Sequence, residues 1–106
     1  MFKLFFWKNN KIIDGFAISL ADELYSHVQP DAMEAYIANK KNKEAKKPER
    51  KIKDIIEQFK QFKTIKSLGI YGKARLHLTF TERLKELGYE KDLANKINEI
   101  ILLKTP

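Results

Sequence analysis

Side chains that could carry out chemistry are few in this chain of 106 residues. There is no cysteine, which excludes disulfides, thiolate metal sites and thiol nucleophiles. His27 and His77 are fifty positions apart and lie in no metal-ligand spacing. Glu23 and His27 are four apart, so they could act as base and orienting carboxylate on one helix face or simply form an ion pair near a helix end. We therefore predict no catalytic residue, no metal site, no cofactor and no small-molecule substrate.

Basic side chains are the more informative chemical feature. Residues 40–66 contain eleven Lys or Arg and four acids, whereas residues 1–39 carry a net charge of −2 and residues 67–106 of +2. Concentrated positive charge attracts nucleic acid phosphates and anionic lipid headgroups, although lysines can also merely keep a face solvated. The residues that we predict to bind such an anion are Lys53, Lys60, Lys63, Lys66, Lys73 and Arg75.

Two local patterns bear on nucleic acid binding. The run Gly69-Ile70-Tyr71-Gly72 has a Gly-x-x-Gly spacing, but its apolar middle and the lack of a predicted sheet exclude a KH module. Backbone N–H groups at Gly72-Lys73 could hold an anion, and the simpler alternative is a turn between helices. A helix-turn-helix over residues 80–101 is disfavoured because the charges of its second helix cancel. Nucleic acid binding through the tract Lys40–Lys66 remains the alternative function.

The amino-terminal segment is strongly aromatic. Burying a side chain such as Phe or Leu is worth roughly 1.5–3 kcal/mol, so we expect these side chains to be buried against another surface. We expect that surface to be the protein's own core or a second copy of the chain, with an anionic membrane interface as the alternative. The residues of this predicted interface are Phe2, Leu4, Phe5, Phe6 and Trp7.

The expected protein is thus a non-catalytic binding or regulatory protein that acts through a protein partner, self-association or a peripheral anionic membrane. The amino-terminal apolar run is too short for a signal peptide and is interrupted at Lys8, and no run is long enough to span a bilayer. We therefore expect a cytoplasmic location, free or peripheral at the inner face of a membrane.

Hydrophobic periodicity predicts the elements that position these residues. The chain reads as a single all-α domain, a bundle of four or five helices over residues 1–106, with an aromatic segment at 1–8 and a basic linker at 39–47. Ala74 to Phe80 alternates as a strand would, but no second strand signal exists to pair with it. A helix from about Gly72 to Leu87, stopped by Gly88, is therefore the prediction there.

The other helix boundaries follow from capping signals. Helix 1 is expected to follow a cap at Asn9 or Asn10 and to continue to Val28, and Asp31 with Glu34 predicts a capping box for a short second helix. Pro48 predicts the first turn of a third helix that ends near residues 67–69. The last helix is predicted to end near Lys104.

Overall fold

Five helices and no strand make up the part of the chain that the structure describes, which confirms the all-α prediction. The structure is a computed structural model; it describes the backbone of residues 2–38 and 46–105 and the side chains of residues 10–38 and 46–105. The helices are α1 (Phe2–His27), α2 (Pro30–Ala38), α3 (Lys46–Ile65), α4 (Ile70–Glu86) and α5 (Lys91–Lys104).

Two predicted helix starts are wrong. α1 begins at Phe2, so Asn9 and Asn10 lie inside the helix rather than at its cap. An asparagine inside a helix costs less than 1 kcal/mol relative to alanine, which a continuous helix easily offsets. α2 begins at Pro30, whose fixed φ suits a first helical position, and Asp31 therefore lies inside the first turn and is no cap.

The helices α3 and α4 end in the same backbone motif. After α3, Ser67 has φ 50°, its N–H bonds to the carbonyl of Thr64, and the N–H of Leu68 reaches the carbonyl of Lys63. After α4, Gly88 has φ 110° and its N–H and that of the next residue bond back in the same way. Both are Schellman motifs. Gly88 was predicted as a stop, whereas the left-handed residue after α3 is a serine.

α1 and α4 pack side by side and run parallel. Polar contacts join Asp14 to Arg75, Asp22 to Arg83, and the Val28 carbonyl to the Tyr89 hydroxyl, each pair separated by 61 residues in sequence. A constant separation means that both chains advance in the same direction. In this register Ile70, the first residue of α4, lies level with Asn9, so residues 2–8 of α1 extend past the start of α4.

An aromatic cluster joins α3 to these two helices. The Phe16 and Phe62 rings stack with centroids 3.9 Å apart, and Phe59 meets Phe80 edge to face at 5.2 Å. Phe59 and Phe80 are fully buried, each contributing roughly 1.5–3 kcal/mol through the apolar area removed from water. Because Phe62 lies beside Phe16 while Lys51 contacts Glu23, α3 runs antiparallel to α1.

Candidate functional site

Positive and negative residues are distributed unevenly along the chain. Three segments, 2–13, 58–81 and 100–105, contain nine of the 21 Lys and Arg residues and none of the 14 Asp and Glu residues. The remainder of the sequence is slightly acidic. Acid-free stretches matter because a lysine without a carboxylate nearby keeps its full attraction for an external anion.

The fold gathers parts of these segments at one end of the bundle. α3 ends there, α4 begins there and α5 ends there, and the parallel register sends the first turns of α1 past the same point. We name this region the cationic end and define it by five lysines: Lys60, Lys63, Lys66, Lys73 and Lys104. Four of these five line one open cavity, which establishes that the three helix ends are neighbours.

Large apolar side chains are exposed in the same segments. Of the eight that are exposed among the described residues, seven lie in the acid-free segments. Three of them flank the cationic end: Ile65 is 75% exposed, Ile70 is 91% exposed and Leu103 is 72% exposed. Exposed apolar side chains and lysines therefore occur together at this end of the bundle.

One lysine of the cationic end is buried. The Lys63 side chain, 7% exposed, donates to Nε2 of His77 at 2.8 Å, to Oγ1 of Thr105 at 3.0 Å and to the Thr105 carbonyl. The ring of His77 in turn donates from Nδ1 to Oδ1 of Asn98 at 2.7 Å, so His77 is neutral with its proton on Nδ1. All three N–H donors of Lys63 are thereby satisfied, and the cluster ties α3, α4 and α5 together.

Burial shapes the ionisation of this cluster. It lowers the pKa of Lys63 to about 8, and the positive charge of Lys73 acts in the same direction. Burial also lowers the pKa of His77, with the charge of Lys63 adding to the effect and the hydrogen bond to Asn98 opposing it. Burial is therefore the main reason that both groups bind a proton less readily, and the neighbouring positive charges add to it. No carboxylate is among the described residues that line the adjoining cavity.

The cavity of the cationic end has a volume of about 330 Å³ and opens to solvent. We call it the lysine cavity. α3 contributes Lys60, Lys63 and Thr64 to its lining, and the other lining residues are Leu68, Lys73, Lys104 and Thr105. The ammonium groups of Lys60, Lys73 and Lys104 form no hydrogen bond or ion pair with other residues in the described part of the chain.

The six cations predicted from the sequence fall into two groups. Lys60, Lys63, Lys66 and Lys73 lie at the cationic end. Lys53 instead pairs with Glu49 at 3.4 Å, one helical turn before it on α3. Arg75 makes a two-pronged ion pair with Asp14, with nitrogen to oxygen distances of 2.9 and 2.7 Å, and is committed to the contact between α1 and α4.

The predicted basic tract is divided by the length of α3. A helix of 20 residues spans about 30 Å, so the basic side chains at its start and those at its end lie far apart. At the start, Lys51 contacts Glu23 at 3.0 Å and Asp54 at 3.3 Å. The predicted linker overlaps α3 at residues 46–47, and residues 39–45 lie outside the described residues.

The predicted aromatic interface also lies outside the described side chains. The backbone of residues 2–9 forms the first turns of α1. The assignment of Phe2, Leu4, Phe5, Phe6 and Trp7 to an interface stays a prediction.

Glu23 and His27 do not form the pair that their spacing allows. The Glu23 carboxylate accepts from Lys51 and, at 2.9 Å, from Nε2 of Gln58, and the hydrogen bond from Lys51 is the main reason that its pKa is lowered. His27 turns back to the Glu23 main-chain carbonyl, 3.0 Å from Nδ1. The carboxylate is therefore occupied by structural partners.

Sequence reasoning missed the cluster around Lys63. It grouped Lys63 with the exposed lysines, yet Lys63 follows Phe59 by four residues and therefore shares its buried face. That spacing was the available signal. Nothing local in the sequence brings His77, Asn98 and Thr105 to the same point, because those contacts span 14 to 42 residues.

No group of three His, Asp or Glu side chains within the described ranges is arranged to hold a metal ion. None of the helices in those ranges combines the length and apolar content that a bilayer-spanning segment requires. Comparison of the chain with models of known protein families gives no match, and searches of curated proteins and of solved structures also give no significant match.

Proposed function

We propose that this protein is a non-catalytic peripheral binding protein that docks on anionic phospholipid surfaces through its cationic end. The observation that carries the proposal is the meeting of uncompensated lysines with exposed apolar side chains at one end of the bundle. Lysines near an anionic bilayer contribute about 1 kcal/mol each, and apolar side chains gain by entering the interface between headgroups and acyl chains.

The arrangement of helix ends supports a flat, extended partner. Ile65, Ile70 and Leu103 come from three different helices, so they form separate points of contact rather than a groove for one helix or strand. The first turns of α1 extend past the start of α4 in the parallel register, at the same end of the bundle. A membrane interface accommodates such separate anchors together with basic side chains.

Nucleic acid binding is the competing function. The exposed apolar side chains distinguish it from membrane binding. Phosphate contacts need cations, and exposed isoleucines add little to them. Replacing Ile65 and Ile70 with serine is therefore expected to weaken capture by anionic vesicles at least about tenfold, because each loses part of a burial term of roughly 1.5–3 kcal/mol. Binding to duplex DNA would not depend on these two residues.

Vesicle sedimentation with matched charge variants tests the proposal. Lys60, Lys66 and Lys73 changed together to glutamine should weaken binding to phosphatidylserine vesicles on the order of 100-fold. The control changes Lys53, Lys91 and Lys96 to glutamine, which removes the same charge from exposed positions outside the acid-free segments. Its binding should fall by less than about tenfold, since distant charges are screened at physiological salt.

Two results would overturn the proposal. One is an equal loss in the two triple variants, which would mean that only net charge matters. The other is tight binding to duplex DNA with the same dependence on Lys60, Lys66 and Lys73 and no effect of the isoleucine changes. That second result would assign the surface to nucleic acid.

A further inference from the structure

The lysine cavity has a chemistry of its own within the cationic end. Four of its seven lining residues are lysines, two are threonines and one is leucine, with no carboxylate among them. Its volume of about 330 Å³ is at the small end of the range for ligand sites, which is roughly 300–1,000 Å³. A small, strongly charged anion is the ligand that this lining favours.

The four lysines have different roles. Lys60, Lys73 and Lys104 reach the cavity from three different helices, and their ammonium groups have no hydrogen-bond or ion-pair partner in the described part of the chain. The three N–H groups of Lys63 form hydrogen bonds with His77 and Thr105, which fix its position. It therefore supplies a buried charge to the cavity lining, while the other three can donate hydrogen bonds to a ligand.

We infer that the lysine cavity binds a phosphomonoester group. Such a group carries a charge between −1.5 and −2 near neutral pH and three acceptor oxygens, which match three free ammonium donors. A phosphodiester or a carboxylate carries a single charge and leaves more of the positive charge uncompensated. The source of the group is either a lipid headgroup or a soluble phosphate ester.

The electrostatics of the lysine cavity give a second reason for a dianion. Burial depresses the pKa of Lys63, and the charge of Lys73 adds a repulsive contribution, so the protonated Lys63 is held here without an opposite charge among the residues that line the cavity. The groups that face Lys63 are Lys60 on its own helix, Lys73 and His77 on α4, and Lys104 and Thr105 at the end of α5. A bound dianion would offset that repulsion and raise the pKa of Lys63, so binding should take up protons near pH 8.

The inference that the phosphate belongs to a lipid rests on the proposed function. Phosphate binding itself does not depend on it. The first arm of the test therefore uses inorganic phosphate, titrated at low salt and followed by NMR of the lysine side chains. We expect saturable shifts at Lys60, Lys73 and Lys104. Lys104→Gln should lower the affinity about tenfold, as expected for loss of one charge-assisted hydrogen bond.

Lys66→Gln is the matched control. Lys66 belongs to the cationic end but does not line the lysine cavity, so its substitution removes the same charge without removing a ligand. We expect less than a threefold change in phosphate affinity. Equal losses in Lys104→Gln and Lys66→Gln would overturn the inference, as would shifts spread evenly over all exposed lysines.

The second arm compares vesicles of matched surface charge. Phosphatidic acid presents a phosphomonoester and phosphatidylserine does not, so we expect about tenfold tighter binding to phosphatidic acid, abolished by Lys104→Gln. If the protein binds both lipids equally and shows no saturable phosphate binding, this inference is overturned and the proposed function stands. Saturable phosphate binding without vesicle binding would overturn the proposed function and support a soluble phosphate ester as the ligand.

Discussion

At the scale of single residues, Lys63 is the most consequential side chain. It is the one described lysine whose side chain is buried, and its hydrogen bonds to Thr105 fix the last residue that the structure describes. Its altered pKa has a consequence for stability. In the unfolded chain Lys63 would keep its proton up to about pH 10.5, whereas in the folded protein it releases the proton above about pH 8.

Stability is therefore expected to rise with pH just above 8. Between pH 8 and pH 9.5 the unfolded chain binds more protons at Lys63 than the folded protein does, so raising the pH favours folding by up to about 2 kcal/mol. Above pH 10 the raised pKa of Tyr89 works in the opposite direction, which sets the upper limit of the window.

Urea unfolding at pH 8 and pH 9.5 measures this effect. Lys63→Met should lack the rise, since it has no proton to release. The ¹³Cε resonance of Lys63 in the unaltered protein should titrate with a midpoint near 8. A midpoint near the value of about 10.5 for the unfolded chain would show that the side chain is solvated and would contradict the buried cluster.

At the scale of elements, the Schellman stops position α3 and α5 against α4. Ser67 adopts φ 50° without the freedom that glycine has there. A residue with a side chain pays about 1 kcal/mol in this region, so Ser67→Gly should raise stability by up to about 1 kcal/mol, or a melting temperature higher by about 4–8 °C. Gly88→Ala should have the opposite effect, because φ is 110° there.

Gly15→Ala controls for the general effect of glycine on helices. Gly15 lies inside α1, and a Cβ at that position would meet nothing within 4 Å. The substitution should therefore stabilise the protein by roughly 0.5–1 kcal/mol through helix propensity alone. Thermal melts under the same conditions compare the two substitutions. If Ser67→Gly destabilises the protein while Gly15→Ala stabilises it, the assignment of strain to Ser67 is wrong.

Helix positions are largely a local property, and this explains which predictions succeeded. The period of Ile52, Ile55 and Phe59 predicted α3, and Gly88 predicted the end of α4, because the signals lie within a few residues of their effects. The start of α1 was missed because Asn9 and Asn10 are good caps but also tolerable helix residues. Cap preference alone does not decide between those two roles.

At the scale of the whole molecule, the cationic end depends on contacts that no local pattern encodes. The parallel register of α1 and α4 is fixed by pairs such as Asp14 with Arg75, 61 residues apart. From the sequence the positive charge appeared as one tract from Lys40 to Lys66. The fold instead separates the two ends of α3 and joins its last turns to Lys73 and Lys104.

The proposed function fixes the orientation of the molecule on a bilayer. Docking through the cationic end places residues 64–73 and 102–105 nearest the lipid. It leaves the connection between α4 and α5, around residues 86–92, at the far end of α4, which is 17 residues long and so spans roughly 25 Å.

NMR of the protein on phosphatidylserine bicelles that contain a gadolinium-chelating lipid measures this orientation directly. We predict strong paramagnetic broadening of the amides of residues 64–73 and 102–105, and little broadening at residues 86–92. Uniform broadening, or broadening strongest at residues 86–92, would contradict docking through the cationic end.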